Sequence, residues 1–375
     1  MDRVLRVVIL APHPHTQGAV PRIAAWLATA LTESGWRVDV WPWGKRADDE
    51  HTLKKLASRT TDVFRIARRL REAGGTDVLV VKSGLDWKSV TRDMLLVTVV
   101  RRHASTIILQ PHGSQAERLC GSGNRIFKLA VARLLRHIDG VFLLSSEEVE
   151  AVTAFSPNTQ AFLVRNPYDP ACLKSTPVEI RDDQYRVLFV GRMVREKGVL
   201  ELVAAAADSD GRGALSISFV GDGPAVAEAQ TLADRLGLSD FVEFCGLADA
   251  GALRKAYLSA QVLALPSYSE GFPTVISEAM GFGLPVVCTR IRGAADYLVD
   301  GINALFVQPK DVTGLRHALI SLRDDPALRR RIGTANLEGV KAFDPSLVAN
   351  HYKECIERTR DLQVRVGGVK RDECR

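Results

Sequence analysis

Short apolar runs recur along the chain, separated by stretches whose apolar residues return every three or four positions. VLRVVILAP reads as a strand, and RIAAWLATALTESG follows as a helix ended by Gly35. WRVDVWPW, DVLVVKSG, TIILQPHG, GVFLLSS and AFLVRNP read as further strands, with helical patterns such as RIFKLAVARLLRHI between them. The second half repeats the rhythm with YRVLFVGR, LSISFVGDG, FVEFCG, VLALPS, PVVCT and ALFV. Continuously apolar strands that alternate with helices predict parallel sheets covered on both faces. Run twice, the pattern predicts two doubly wound α/β domains.

The boundary falls in NPYDPACLKSTPVEIRDDQ, residues 166–184, which has three prolines, mixed charge and no period. The first domain is placed at 1–172 and the second at 173–345. FDPSLVANHYKECIERTRDL reads as a final helix, about 346–365, with Asp344 as N-cap and Pro345 in its first position. This helix is expected to pack back on the first domain. VGGVKRDECR reads as a flexible tail at 366–375. Tandem α/β domains bind ligands in the cleft between them, at the carboxyl ends of the strands.

Composition changes this picture little. With 46% hydrophobic and 25% charged residues among 375, the chain can bury sizeable cores. Cys120, Cys172, Cys245, Cys288, Cys355 and Cys374 are scattered, with no CxxC pair and no Cys/His cluster. That pattern argues against a zinc site or a disulfide framework and for a reducing cytosol. The opening segment does not read as a signal peptide. The run MLLVTVV at 94–100 is far below the roughly 20 residues that span a bilayer.

Charge is uneven. Residues 1–180 hold 25 basic and 18 acidic residues, and 181–375 hold 25 and 26. Basic residues gather at Lys54, Lys55, Arg59, Arg65, Arg68, Arg69 and Arg71, and again at Arg101, Arg102, Arg118, Arg125, Lys128, Arg133 and Arg136. They read either as solvated helix faces or as attraction to an anionic membrane surface or acceptor. No nucleic-acid module is recognisable.

The chemistry concentrates in VLALPSYSEGFPTVISEAMGFGLPVV. A strand leads through Glu270, Gly271, Phe272 and Pro273 into a helix beginning near Thr274, with Pro273 suited to its first position. The helix N-terminus attracts an anion such as phosphate. Thr274 and Glu278 share one helical face, and side chains lean toward the N-terminus. Two carboxylates beside an anion site fit a ligand rich in hydroxyls. The plain alternative is a strand–turn–helix with surface glutamates.

VLFVGRMVREKG ends a strand at Gly191 and places Arg192 and Lys197 in a loop that suits a diphosphate, or that is merely solvated. GDGPAV lacks the third glycine of a dinucleotide fingerprint, having Val226 there, which disfavours NAD. Gly18 stands between the first strand and helix, either as a turn glycine or to let a ligand approach the backbone. His112 ends the strand TIILQPHG, where it is either structural or aimed at the cleft.

With these residues assembled, the chain resembles the retaining GT-B glycosyltransferases of family 4 over nearly its whole length. The strongest part is the E-x7-E signature, Glu270 to Glu278, followed by AMGFGLPVV. RGAADYLVDGINALFVQPKD is similar to a second family stretch, with Asp296 where Glu is usual and Ala304 where Gly is usual. GRMVREKG, GDGP and VRNPYD also match, and Gln17-Gly18 stands where many members have paired glycines.

The resemblance implies a GT-B fold and transfer of a sugar from a nucleotide-diphosphate sugar to an acceptor hydroxyl with retained configuration. It implies that Arg192 and Lys197 bind the diphosphate without a metal or other cofactor, that Gly191 binds the donor substrate beside them, and that Glu278 takes the ribose hydroxyls. Glu270 would contact the transferred sugar, and the amides of Gly271, Phe272, Pro273 and Thr274 its phosphate or sugar. His112 would orient the sugar and Gly18 line the phosphate. The implied partners are the nucleotide-sugar donor and a sugar or lipid-linked acceptor, in the cytoplasm or at the cytoplasmic membrane face. Other readings are a GT-B epimerase, a hydrolase using both glutamates, and a non-catalytic subunit of a polysaccharide assembly complex.

Overall fold

The structure, a computed structural model, describes residues 4–14, 16, 18–44, 52–114, 119, 124–169, 185–208 and 211–372. Gln17, Arg118, Cys120, Cys172, Cys374 and most of the 166–184 stretch lie outside the described residues. The chain divides into two compact units, residues 1–167 with 345–375, and residues 168–344.

The first unit is a six-stranded parallel sheet of β1 (Arg6–Ala11), β2 (Arg37–Pro42), β3 (Thr76–Leu85), β4 (Ala104–Ser114), β5 (Gly140–Leu143) and β6 (Gln160–Leu163), in the order β2-β1-β3-β4-β5-β6. Helices α1 (Val20–Glu33), α2 (Thr52–Glu72), α3 (Trp87–Val100), α4 (Arg125–Leu135) and α5 (Ser146–Phe155) connect the strands. The central strands bury both faces, with Val7, Val8, Ile9 and Leu10 fully enclosed, which is why they read as unbroken apolar runs.

The second unit repeats the plan with β7 (Arg186–Val190), β8 (Ser216–Val220), β9 (Val242–Gly246), β10 (Val262–Leu265), β11 (Val286–Thr289) and β12 (Ala304–Val307), in the order β12-β11-β10-β7-β8-β9. Its helices are α6 (Val199–Ala206), α7 (Val226–Arg235), α8 (Ala250–Ser259), α9 (Thr274–Gly281), α10 (Arg292–Tyr297), α11 (Val312–Asp324) and α12 (Pro326–Gly339). All pairings in both sheets are parallel, and each of the twelve apolar segments predicted as strands forms one.

The last helix, α13 (Pro345–Asp372), belongs to the first unit. It starts at Pro345 and runs to Asp372, beyond residue 365 where the sequence predicted its end, since no proline interrupts VRVGGVKRD. Val348, Ala349, Tyr352 and Ile356 join the core formed by Val7, Ile9 and Phe142. Tyr352 meets Phe142 edge-on at 5.2 Å, and Lys353 Nζ donates to the Ser34 carbonyl at 3.1 Å.

Candidate active site

In the second unit, β7 and β10 are neighbours at the point where strand order reverses: β8 and β9 continue on one flank, β11 and β12 on the other. In open α/β sheets the carboxyl ends at such a point are where ligands bind. The loops leaving β7 and β10 carry the Arg192/Lys197 and Glu270/Glu278 motifs.

These two loops are joined backbone to backbone. Tyr268 N donates to the Glu196 carbonyl at 2.8 Å. Gly198 has φ +71°, and a Cβ there would lie 2.2 Å from the Pro266 carbonyl oxygen, so glycine alone permits the approach. Lys197 Nζ forms an ion pair with Glu270 Oε1, and Ser267 Oγ donates to the same oxygen at 3.2 Å. The fold thus joins two predicted residues 73 positions apart. Burial draws the Lys197 ammonium down to about 8. Arg192 is exposed and forms no ion pair among the described residues, whereas Arg195 is held by Glu228 at 2.6 Å.

Pro273 corrects the sequence reading. It precedes α9 with ψ 125°, one position before the first helical residue, Thr274. The loop before it is pinned: Phe272 stacks on Phe343 at 4.9 Å and meets Tyr297 edge-on, and Gly293 N donates to the Gly271 carbonyl at 3.0 Å. Pro273 therefore continues this extended loop, and the Phe272 side chain packs in the core. The N-cap residue of α9, Pro273, makes no side-chain cap. Ile276 N bonds back to the Pro273 carbonyl at 3.0 Å, and helix geometry leaves the Thr274 and Val275 amides without an internal acceptor.

Glu278 is buried, 3% exposed, beside the buried Thr274. Its Oε2 accepts from the Tyr257 hydroxyl at 2.8 Å, and the Tyr257 ring stacks on Phe282 at 5.0 Å. The carboxylate is therefore fixed in place and is not a surface group. The glycines of GDGP also have a packing role. A Cβ on Gly221 would lie 1.8 Å from the Gly191 carbonyl oxygen, so the loops after β7 and β8 meet there.

In the first unit, Gly18 follows β1 with φ +120° and has open space where a Cβ would be. His112 lies near the carboxyl end of β4. Its Nε2 is buried and has no hydrogen-bond partner among the described residues. Behind it is a group that sequence reasoning missed. Lys82 of β3 is 2% exposed and donates to Gln110 Oε1 at 2.8 Å; Gln110 Nε2 in turn donates to the Tyr352 hydroxyl at 2.6 Å. Burial pulls Lys82 down to about 7. Burial first, and then the Lys82 charge, hold the His112 imidazole well below its usual pKa. The available signal was a lysine inside the apolar run DVLVVKSG. Tyr257 had no such signal, because only the fold brings it to Glu278, whereas Ser267 stands three residues before Glu270 in the same motif. Among the described residues no cluster of three or more His, Cys, Asp or Glu is arranged to hold a metal, and no helix is long and apolar enough to cross a membrane.

Residues 174–338 match the family described as glycosyl transferases group 1. Over 178 residues the chain is 31% identical to the lipopolysaccharide core biosynthesis glycosyltransferase LpsD of Rhizobium meliloti, covering 47% of this chain and 50% of that protein. The chain spans about half the length of the curated relatives it matches. Among solved structures, sucrose-phosphate synthase from Thermosynechococcus elongatus superposes with a TM-score of 0.76 at 22% identity, covering 94% of this chain and 98% of that one. Anabaena HepE, solved with UDP, gives 0.70 at 18% identity, covering 94% and 100%. These likenesses establish a GT-B fold, and the match to the glycosyl transferases group 1 family is confined to residues 174–338.

Proposed function

We propose that the protein is a retaining glycosyltransferase that moves a sugar from a nucleotide-diphosphate sugar to an acceptor hydroxyl. The observation that carries this is the Lys197–Glu270 pair at the β7/β10 switch point, beside an α9 whose N-cap residue, Pro273, makes no side-chain cap. Arg192 and Lys197 hold the donor diphosphate. As the bond from the anomeric carbon to the phosphate oxygen breaks, its electron pair goes to the leaving nucleoside diphosphate, and the two cations stabilise that charge. The amides from Gly271 to Val275 take phosphate or sugar oxygens. Pro273, having no N–H, contributes shape only.

Glu270 accepts hydrogen bonds from the transferred sugar, and Glu278, set by Tyr257, from the ribose. In the first unit, His112 Nε2, which has no hydrogen-bond partner among the described residues, takes a sugar hydroxyl, because a ligand hydroxyl satisfies a buried ring nitrogen. Gly18 lets phosphate approach the backbone. The acceptor oxygen bonds to the anomeric carbon on the face the phosphate leaves, through an oxocarbenium-like path, and its proton passes to a leaving phosphate oxygen. Cations and amides supply the positive charge, so no metal is expected.

The name of LpsD supports a role in cell-surface polysaccharide, glycolipid or glycoside synthesis. We place the protein in the cytoplasm, with peripheral contact at an anionic membrane. The test is turnover of nucleotide sugars with NMR of the product. Retained anomeric configuration is the expected result. An inverted product overturns the mechanism, and sugar isomerisation without any acceptor overturns the transferase reading.

A further inference from the structure

The outward stripe of α4 joins exposed aliphatic side chains to unpaired arginines. Arg125, Ile126, Leu129, Arg133 and Arg136 are its exposed positions, spaced three and four apart so that they form one face. Phe127, Val131, Leu134 and Leu135 fill the opposite face and are buried. The helix therefore completes the core without Ile126 and Leu129, which nevertheless lie 71% and 67% exposed, one turn apart among three arginines.

No acidic residue occurs from Asn124 to Ile138. The next one, Asp139, is occupied by Arg101 at 2.5 and 3.0 Å and by the Ile107 amide. Arg125, Arg133 and Arg136 form no ion pair among the described residues. On α2 the arginines are paired differently: Arg65 is held by Asp62 at 2.8 Å and Arg68 by Glu72 at 2.7 Å. Two arginines of α2 thus have carboxylate partners, whereas the arginines of the α4 face have none among the described residues.

We propose that the outward face of α4 docks the protein on an anionic lipid bilayer, with Ile126 and Leu129 inserted at headgroup depth and Arg125, Arg133 and Arg136 on lipid phosphates. Scattered exposed aliphatics are ordinary, but two adjacent ones ringed by unpaired cations match an interfacial helix. A soluble polyanion would need the arginines and gain nothing from the aliphatics, which is why the bilayer is the occupant. The proposal deepens the membrane part of the reading above and does not depend on which donor is used.

The test is co-sedimentation of the full chain with phosphatidylcholine vesicles, with and without phosphatidylglycerol. We expect binding only to the anionic vesicles at low salt, and its loss near 1 M salt, where the screening length is about 3 Å. Ile126→Ser/Leu129→Ser and Arg125→Gln/Arg133→Gln/Arg136→Gln should each weaken partitioning at least about tenfold. Circular dichroism and binding of nucleoside diphosphates should be unchanged in both variants. No binding by the wild type overturns the proposal, as does binding that survives Ile126→Ser/Leu129→Ser, which marks a purely ionic contact. A wild-type dimer that the aliphatic variant turns into a monomer, without any effect on vesicles, also overturns it. Nucleoside diphosphate binding in the same samples tells failure of this proposal from failure of the donor site.

Discussion

The carboxyl ends of the two sheets are built from the same topology and carry opposite chemistry. In the second unit a lysine and a glutamate meet, Lys197 with Glu270, and a second glutamate is fixed by a phenol. In the first, a buried lysine donates to an amide oxygen, and a buried imidazole nitrogen has no hydrogen-bond partner among the described residues. One end is charge-balanced and suits a ligand bearing both phosphate and hydroxyls. The other is kept poor in charge. Two copies of one fold plan thus present different chemistry through a few side chains at strand ends, in line with the rule that function is set by the site and not by the fold.

The sharpest way to break this contrast is to remove the cation from the balanced end. Lys197→Ala should lower kcat/KM for sugar transfer about 10²–10³-fold, the usual cost of losing one donor to developing negative charge. Steady-state kinetics with the cognate donor checks it, and a loss under about tenfold would move the diphosphate site elsewhere.

Lys82 tests the other end through stability. A lysine at about 7 in the folded protein and 10.5 unfolded means the unfolded state binds more protons between those values, so stability rises with pH across that window. Lys82→Met removes the burial penalty, which is full at low pH. Its stability relative to wild type should therefore be higher at pH 6 than at pH 9 by about 3 kcal/mol. Denaturant titrations at both pH values measure this, and a pH-independent difference would show that Lys82 is not buried as a potential charge. Loss of the Gln110 contact adds an offset independent of pH.

The same reasoning applies to Lys197 and ligand. Its charge is present below about 8 and lost above it. Affinity for a nucleoside diphosphate should fall as pH rises through 8, by up to about tenfold per unit. Isothermal titration across pH 6.5–9.5 reads this, and Lys197→Arg should flatten the fall. The smallest expected effect is at Tyr257. Tyr257→Phe removes one hydrogen bond to the Glu278 carboxylate, costing about 1.5–3 kcal/mol of stability or donor binding combined. Comparing melting temperature and donor KM would apportion that cost, and no change in either would show the contact to be incidental.

Much of this was legible in the sequence. The twelve strands announce themselves as apolar runs because both faces of each central strand are covered. The glutamate signature and the cationic loop stand out by residue type and spacing. The pairing of Lys197 with Glu270 was not legible, since it depends on β7 and β10 being neighbours, and strand order is not written in periodicity. Pro273 was misplaced by one position because proline favours both the first helical residue and the extended residue before it, and the tertiary anchor Phe272 decides between them. Lys82 was passed over because a lysine near the end of a strand usually marks the surface. Only packing against Gln110 and Tyr352 shows that it does not.

The central claim is that the β7/β10 loops bind a nucleoside diphosphate through Lys197 and Arg192. Calorimetric titration of UDP, GDP, ADP, CDP and dTDP into the wild type, Lys197→Ala and Arg192→Ala tests it directly. The account predicts that one of these nucleotides binds the wild type and that both variants weaken it at least about tenfold, the order expected for a charge-assisted phosphate contact. Binding that is equally tight in all three proteins, or no binding of any of the five to the wild type, would contradict it.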